Sequence, residues 1–140
     1  MSSFNIFDLA SMGMSAQSIR LNTIASNLAN GETVSSTPEG AYRSQHPIFS
    51  SFNLAMGDAM EGYNGVGVKV DKITQSNADL QAKYDPTNPQ ADANGMVYLS
   101  NVNMVQEMAD MISASRTYQT NVQMLNAAKD LMHQTINLGK

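Results

Sequence analysis

Met104-Val105-Gln106-Glu107-Met108-Ala109-Asp110-Met111-Ile112-Ser113-Ala114-Ser115-Arg116-Thr117-Tyr118-Gln119-Thr120-Asn121-Val122-Gln123-Met124-Leu125 carries the periodicity that sets the fold class. Met104, Met111, Tyr118, Leu125 and Met132 recur one heptad apart, and Met108, Ser115, Val122, Lys129 and Ile136 form a partner row at the same spacing. Two such rows make an a/d seam, imperfect at Ser115 and Lys129. Ala109, Ile112, Ala114, Ala128 and Leu131 add apolar area outside it. The pattern predicts a helix from about Val102 to Leu138, on the order of 55 Å long at the α-helical rise. Asn101 or Asn103 can cap its start, with Gln106 placed as a capping-box partner of Asn103. Glu107 and Asp110 near the start, and Lys129 and Lys140 near the end, complement the helix dipole.

Working outward, a second helical period runs from about Ile6 to Asn30. Phe7, Met14, Leu21 and Leu28 fall one heptad apart, with Ala10, Ile24 and Ala25 beside them. Leu9, Met12, Ala16 and Ile19 widen the face. Asn5 is placed to cap this helix, Asp8 lies near its positive end, and Asn30-Gly31 is a stop signal. The shorter helix can cover only part of the longer one. Apolar residues on more than one side of a long helix call for neighbours on more than one side, so packing between chains is expected beside packing within one. A monomeric helical hairpin is the alternative that periodicity leaves open.

The texture changes between Glu32 and Ser100. All four prolines lie here, among Gly, Ser and Asn. Gly65-Val66-Gly67-Val68-Lys69-Val70-Asp71 alternates as a half-buried strand does, and so do residues 79–84. Thr74 to Asn77 is placed to join these runs as a hairpin. Asn94-Gly95 signals a turn into a third short strand, Met96-Val97-Tyr98-Leu99. Residues Gly31 to Gly40 and Ser50 to Gly62 read as loosely structured. The expected organisation is therefore an N-terminal helix over residues 1–31, a loop and short-strand region over 32–100, and a long C-terminal helix over 101–140. The fold class is mostly α: two long terminal helices packed as an antiparallel coiled-coil-like pair, with a small β-hairpin and loop region between them.

Composition narrows the function. Charged residues make up 14% of the chain and aromatics 6%, so a monomer has little with which to build a large core. Eleven methionines supply adaptable contact surface. The net charge is −4 and the eight basic residues are scattered, which argues against nucleic-acid and polybasic membrane surfaces. Without cysteine there is no disulfide, thiolate ligand or thiol nucleophile. Met1-Ser2-Ser3-Phe4-Asn5 has no basic n-region, so no signal peptide of the usual kind is expected. No apolar run reaches the roughly 18 residues of a membrane span.

The search for chemistry is negative. His46 and His133 have no second His at ligand spacing, and Asp130 near His133 reads as a surface pair. Gln90-Ala91-Asp92-Ala93-Asn94-Gly95 matches a calcium loop only in part, lacking an acid at Gln90 and a glutamate at Asn101. Gly65-Val66-Gly67 lacks the third glycine of a dinucleotide fingerprint. No serine sits in a Gly-x-Ser-x-Gly elbow. An enzyme, a metal site, a cofactor and a small-molecule substrate are not expected. The helical asparagines are the remaining feature: Asn22, Asn27, Asn30, Asn121 and Asn126, with Ser26 among them. Asn is a poor helix former. These residues either face solvent or fix the register between packed helices through buried amides.

Leu21-Asn22-Thr23-Ile24-Ala25-Ser26-Asn27-Leu28-Ala29-Asn30 resembles the N-terminal signature of flagellar rod, hook and hook-associated proteins. Asn5-Ile6-Phe7-Asp8-Leu9-Ala10, Thr37-Pro38-Glu39-Gly40, Tyr84-Asp85-Pro86 and Ala91-Asp92-Ala93-Asn94-Gly95 narrow the resemblance to basal-body rod proteins of the proximal rod. Ser113-Ala114-Ser115-Arg116-Thr117-Tyr118-Gln119-Thr120-Asn121-Val122 is its strongest part. Departures fall at Gly31 to Ser36, at Ser100 and at Met96.

The resemblance implies a structural subunit of a periplasmic axial rod, serving motility and exported through the flagellar type III apparatus without a cleaved signal. It implies terminal helices packed as an inner tube. It also implies partners: other rod subunits and further copies of itself, and at the base a membrane-ring protein with its rod adaptor. The assembly interface expected from the seams and the signature comprises Phe7, Met14, Leu21, Asn22, Ser26, Asn27, Leu28, Asn30, Met104, Met108, Met111, Ser115, Arg116, Tyr118, Asn121, Val122, Leu125, Asn126, Met132 and Ile136. A soluble helical adaptor or export chaperone is the alternative.

Overall fold

A computed structural model describes the backbone of residues 3–55 and 64–138, with side chains over 6–52 and 66–137. The first helix, α1, spans Ser3–Asn30, and the last, α2, spans Met104–Leu138. Five strands lie between them: β1 (Val34–Ser35), β2 (Gln45–Ala55), β3 (Asn64–Gln75), β4 (Gln81–Tyr84) and β5 (Met96–Leu99). The two helices and the intervening antiparallel strands agree with the expected class in outline.

The helix ends follow local chemistry. α1 begins at Ser3, so Asn5 lies inside the helix rather than capping it; its side chain is outside the described residues. Asn30 ends α1 by folding its amide back onto the Ser26 carbonyl at 2.8 Å, while the Gly31 N–H donates to the Leu28 carbonyl. At the start of α2 the Gln106 N–H donates to Asn103 Oδ1 at 3.2 Å, which makes Asn103 the cap. Gln106 does not reach back as a capping box; its amide donates instead to Asp110. Asn101 has another task. Its side chain accepts from the Ser44 N–H and donates to the Ala78 carbonyl, tying the entry to α2 to two loops of the middle region.

The strand pairing differs from expectation. β3 does not fold onto residues 79–84; it pairs antiparallel with β2, from Gln45 opposite Gln75 to Ala55 opposite Asn64. β4 pairs with β5, and β5 with β1, in a separate three-stranded sheet. Residues 50–55 are therefore strand and not loose chain, and residues 34–35 add a short strand within a stretch read as loose; residues 56–63 lie outside the described residues. Two features hid β2. Pro47 and the serine pair Ser50-Ser51 depress its strand signal, and Asp71 of β3 is the extra residue of a bulge opposite Ile48 and Phe49. Proline is tolerated because β2 is an edge strand in a two-stranded sheet. The Asn94-Gly95 turn is present: the Gly95 N–H closes on the Asp92 carbonyl, and Gly95 takes φ of 75°.

The β2–β3 hairpin lies against α1. Gly67 permits this approach, since a Cβ there would come within 2.9 Å of Met12 Sδ and of Phe52 Cζ. Beside this contact an apolar cleft of about 230 Å³ opens between Met12, Ala16 and Ile19 of α1 and Phe52, Val68 and Val70 of the hairpin.

The helices meet through small side chains. Ala10, Ala114 and Ala128 are buried, and Asn121 lies over Gly13. Residues that meet run in opposite order along the two helices: Gly13 with Asn121, Arg20 with Asp110, Asn27 with Glu107 and Gly31 with Met104. On α2 the buried row is Glu107, Ala114 and Ala128, with half-buried Asn121 in register. It falls one residue before the expected partner row, of which Met108, Lys129 and Ile136 are exposed. Polar Glu107 and Asn121 concealed the true row from a search for apolar repeats.

Candidate assembly interface and the junction behind it

Asn27 is fully buried and uses every hydrogen-bonding position of its amide. Nδ2 donates to the Gln45 carbonyl at 2.8 Å and to Glu107 Oε1 at 2.9 Å. Oδ1 accepts from the Tyr42 hydroxyl at 3.0 Å and from the Gln45 N–H at 2.9 Å. The paired contacts with the main chain of Gln45 copy those a neighbouring strand would make. They also fix the amide's orientation, because an N–H faces one side and a carbonyl the other. Since the Tyr42 proton goes to Asn27, the Ser26 hydroxyl is the donor in its 3.1 Å contact with Tyr42.

Glu107 is only 4% exposed and stands in the first turn of α2. Burial of a carboxylate is unfavourable unless donors and dipoles meet it. Here the Asn27 amide and the positive end of α2 both do. Arg20 and Asp110 add a half-exposed ion pair at 3.0 Å between the helices. Arg43 donates to the carbonyls of Ser76 and Ala78, closing the base of the hairpin against the same junction. α1, α2 and β2 are thus joined by one polar network, in which each group satisfies the next.

The expected interface residues divide into three groups. Asn27 is buried within the chain, where it fixes helix register, and Ser26 and Asn30 serve the same end of α1 through Tyr42 and their own helix. Phe7, Met14, Leu21, Leu28, Met104, Met111, Ser115, Asn121, Val122, Leu125 and Met132 are half-buried. Asn22, Met108, Arg116, Tyr118, Asn126 and Ile136 are exposed. Val105, Ile112, Met124 and Leu131, also exposed on α2, were not among the expected residues. Neither were Tyr42, Gln45 and Glu107. Tyr42 and Gln45 carried no periodic signal, and Glu107 read as a dipole partner only.

Outside the junction, Asp92 accepts N–H groups from Met96 and Asn94, and the Met96 bond chiefly holds its carboxyl below the ordinary carboxylate range. Among the described residues no group of three His, Asp or Glu side chains is placed to hold a metal. No described helix is long and apolar enough to cross a membrane.

Two family models match the chain. One, described as flagella basal body rod protein, covers residues 7–34; the other, flagellar basal body rod FlgEFG protein C-terminal, covers residues 93–138. The flagellar basal-body rod protein FlgC of Salmonella typhimurium is 43% identical over 140 residues, spanning 100% of both chains. FlgC of Escherichia coli O157:H7 is 44% identical over the same span, and FlgC of Bacillus subtilis 34% over 150 aligned residues. This chain belongs to the FlgC family of flagellar basal-body rod proteins. The first family match holds Asn27 and the second holds Glu107, so the bond between the helices joins the two matched segments. Tyr42 and Gln45 come from the stretch between them.

Proposed function

We propose that this chain, a structural subunit of the flagellar basal-body rod, polymerises through its terminal helices into the axial tube of the proximal rod. One observation carries the polymerisation. Large apolar side chains stand exposed along α2, at Val105, Met108, Ile112, Leu131 and Ile136, and a row of uncovered apolar side chains on a long helix marks surface that takes a partner.

In this reading the helices over residues 1–31 and 101–140 form an antiparallel coiled-coil-like pair that builds the tube. Residues 32–100 face outward or act as spacer. The half-buried and exposed interface residues named above meet sister rod subunits and further copies of this chain. The family resemblance supplies the remaining partners: a membrane-ring protein and its adaptor at the base, and the flagellar type III export apparatus. It also supplies the periplasmic location and export without a cleaved signal. The chain acts as a building block and not as a catalyst.

Deletion of residues 122–140 tests the reading. Purified basal bodies from a strain carrying only the truncated chain should lack it, and the cells should not swim. Normal amounts of truncated subunit would show that the α2 seam is not the assembly element.

A further inference from the structure

The β2–β3 hairpin has one covered face and one bare one. Residues directly opposite each other in an antiparallel pair share a face. Phe52 and Gly67 therefore look toward Met12 of α1, whereas Phe49 with Val70 and Pro47 with Ile73 look away from it. Val66 and Val68, four and two residues before Val70, share that outer face. Asp71 decides how the row continues. In an unbroken alternation Lys72 would follow Val70; the extra residue turns Lys72 to the other side and brings Ile73 into the row. The outer face of β3 is thus Val66, Val68, Val70 and Ile73, about 20 Å of apolar strand. Val66 and Ile73 are 52% and 50% exposed; Val68 and Val70 also border the cleft beside α1, yet Val68 and Phe49 remain exposed. Among the described residues α1 is the only helix or strand that touches the hairpin, so no described element covers this face. A two-stranded sheet is marginal without such cover.

A second bare apolar row stands at the start of α2. Val105, Met108 and Ile112 fall at i, i+3 and i+7, on the side of α2 opposite Glu107 and Ala114. The hairpin and α2 both pack on α1 and do not touch each other, so the α2 row leaves the hairpin of its own chain uncovered. We propose that it covers the hairpin of a second copy: the first turns of α2 lie across the outer face of the neighbouring chain's β2–β3 hairpin. This rests on the reading that the chain polymerises, and it names one contact through which it does so. Two arguments fix the occupant. A helix laid on a sheet buries the apolar side of both, and the α2 row, about 10 Å long, fits within the length of the strand row. A contact between two different surfaces of one chain also leaves one of each free after every addition, and so continues. Helix row against helix row, or hairpin against hairpin, closes at a dimer. A subunit of a rod needs the contact that continues.

The chain has no cysteine, so the only thiols on it are those introduced. Val68→Cys and Ile112→Cys, singly and together, are treated with a short bismaleimide in purified basal bodies. The double variant should give a ladder of cross-linked dimers and larger species of this subunit, and neither single variant any. Ile73→Glu should leave the urea midpoint of the free chain nearly unchanged. It should lower the amount of subunit in basal bodies at least ~10-fold, because it carries a charge into an apolar contact. Dimers from either single variant would overturn the inference, since like surfaces would then be meeting. Incorporated double variant with no cross-link would overturn it too, while leaving polymerisation itself standing. Wild-type amounts of Ile73→Glu in basal bodies would overturn it whether or not the double-cysteine variant assembles.

Discussion

Asn27→Asp changes one nitrogen to oxygen and keeps the shape of the side chain, which isolates the electrostatics of the junction. The new carboxylate oxygen at position 27 stands 2.8 Å from the Gln45 carbonyl and 2.9 Å from Glu107 Oε1, where Nδ2 formerly donated. Two hydrogen bonds are lost, each worth about 1 kcal/mol net. Two like charges at that distance repel by about 6 kcal/mol at an effective dielectric of ~20, before any relaxation. Movement of Glu107 toward solvent, or uptake of a proton, relieves part of this. The expected loss is roughly 4 kcal/mol, similar to that from breaking a buried charge pair. That is a large share of the ~5–15 kcal/mol typical of a folded domain.

Glu107→Gln alone keeps an acceptor for Asn27 and should lower stability by about 1 kcal/mol. Combined with Asn27→Asp it places a donor opposite the new carboxylate, so the double variant should recover about 2 kcal/mol relative to Asn27→Asp. Urea denaturation followed by circular dichroism at neutral pH measures all three. A double variant no more stable than Asn27→Asp would refute the claim that these two side chains meet in the folded chain.

Two further perturbations probe other contacts. Gly67→Val places a side chain where Met12 and Phe52 already lie, so the hairpin must move off α1; a loss of about 1–3 kcal/mol is expected, with Gly67→Ala milder, both read from urea midpoints. Asp92 has a depressed pKa, so its contribution is present above its ordinary value of 3.8 and disappears as pH falls through the lower folded value. Asp92→Ala should therefore lower the urea midpoint at pH 7 and leave it nearly unchanged once the pH is well below the depressed folded value; an equal loss under both conditions would count against the charged acceptor.

The sequence's heptads located both helices because apolar side chains at regular spacing survive as a signal whatever they pack against. The buried row of α2 falls one residue before the heptad row of Met108, Ser115, Val122, Lys129 and Ile136, for a physical reason. The face toward α1 is lined by Ala114, Ala128, Asn121 and Glu107, which are small or polar, while large apolar residues such as Met108 and Ile112 point away. Apolar bulk marks surface that wants cover, and in a subunit of a polymer that surface need not be internal. The hairpin was illegible because strand pairing is a long-range choice: β3 had a readable alternation, but its partner β2 carried a proline and two serines, and the register between them slips at Asp71 of β3. The asparagine question was open from sequence, since an amide in a helix reads the same whether it is solvated or buried. The structure answers it residue by residue, with Asn27 buried, Asn30 and Asn121 half-buried, and Asn22 and Asn126 exposed.

The outer face of α2 is where the account is most directly tested. Met108 and Ile112 are 49% and 55% exposed, so Met108→Glu with Ile112→Glu should leave the urea midpoint of the free chain nearly unchanged. In a strain whose only copy carries both substitutions, the amount of this subunit in purified basal bodies is the quantity to measure. If α2 assembles through this face, the folded variant is absent from the basal bodies and the cells do not swim. Wild-type amounts of the doubly charged variant in motile cells would contradict the account.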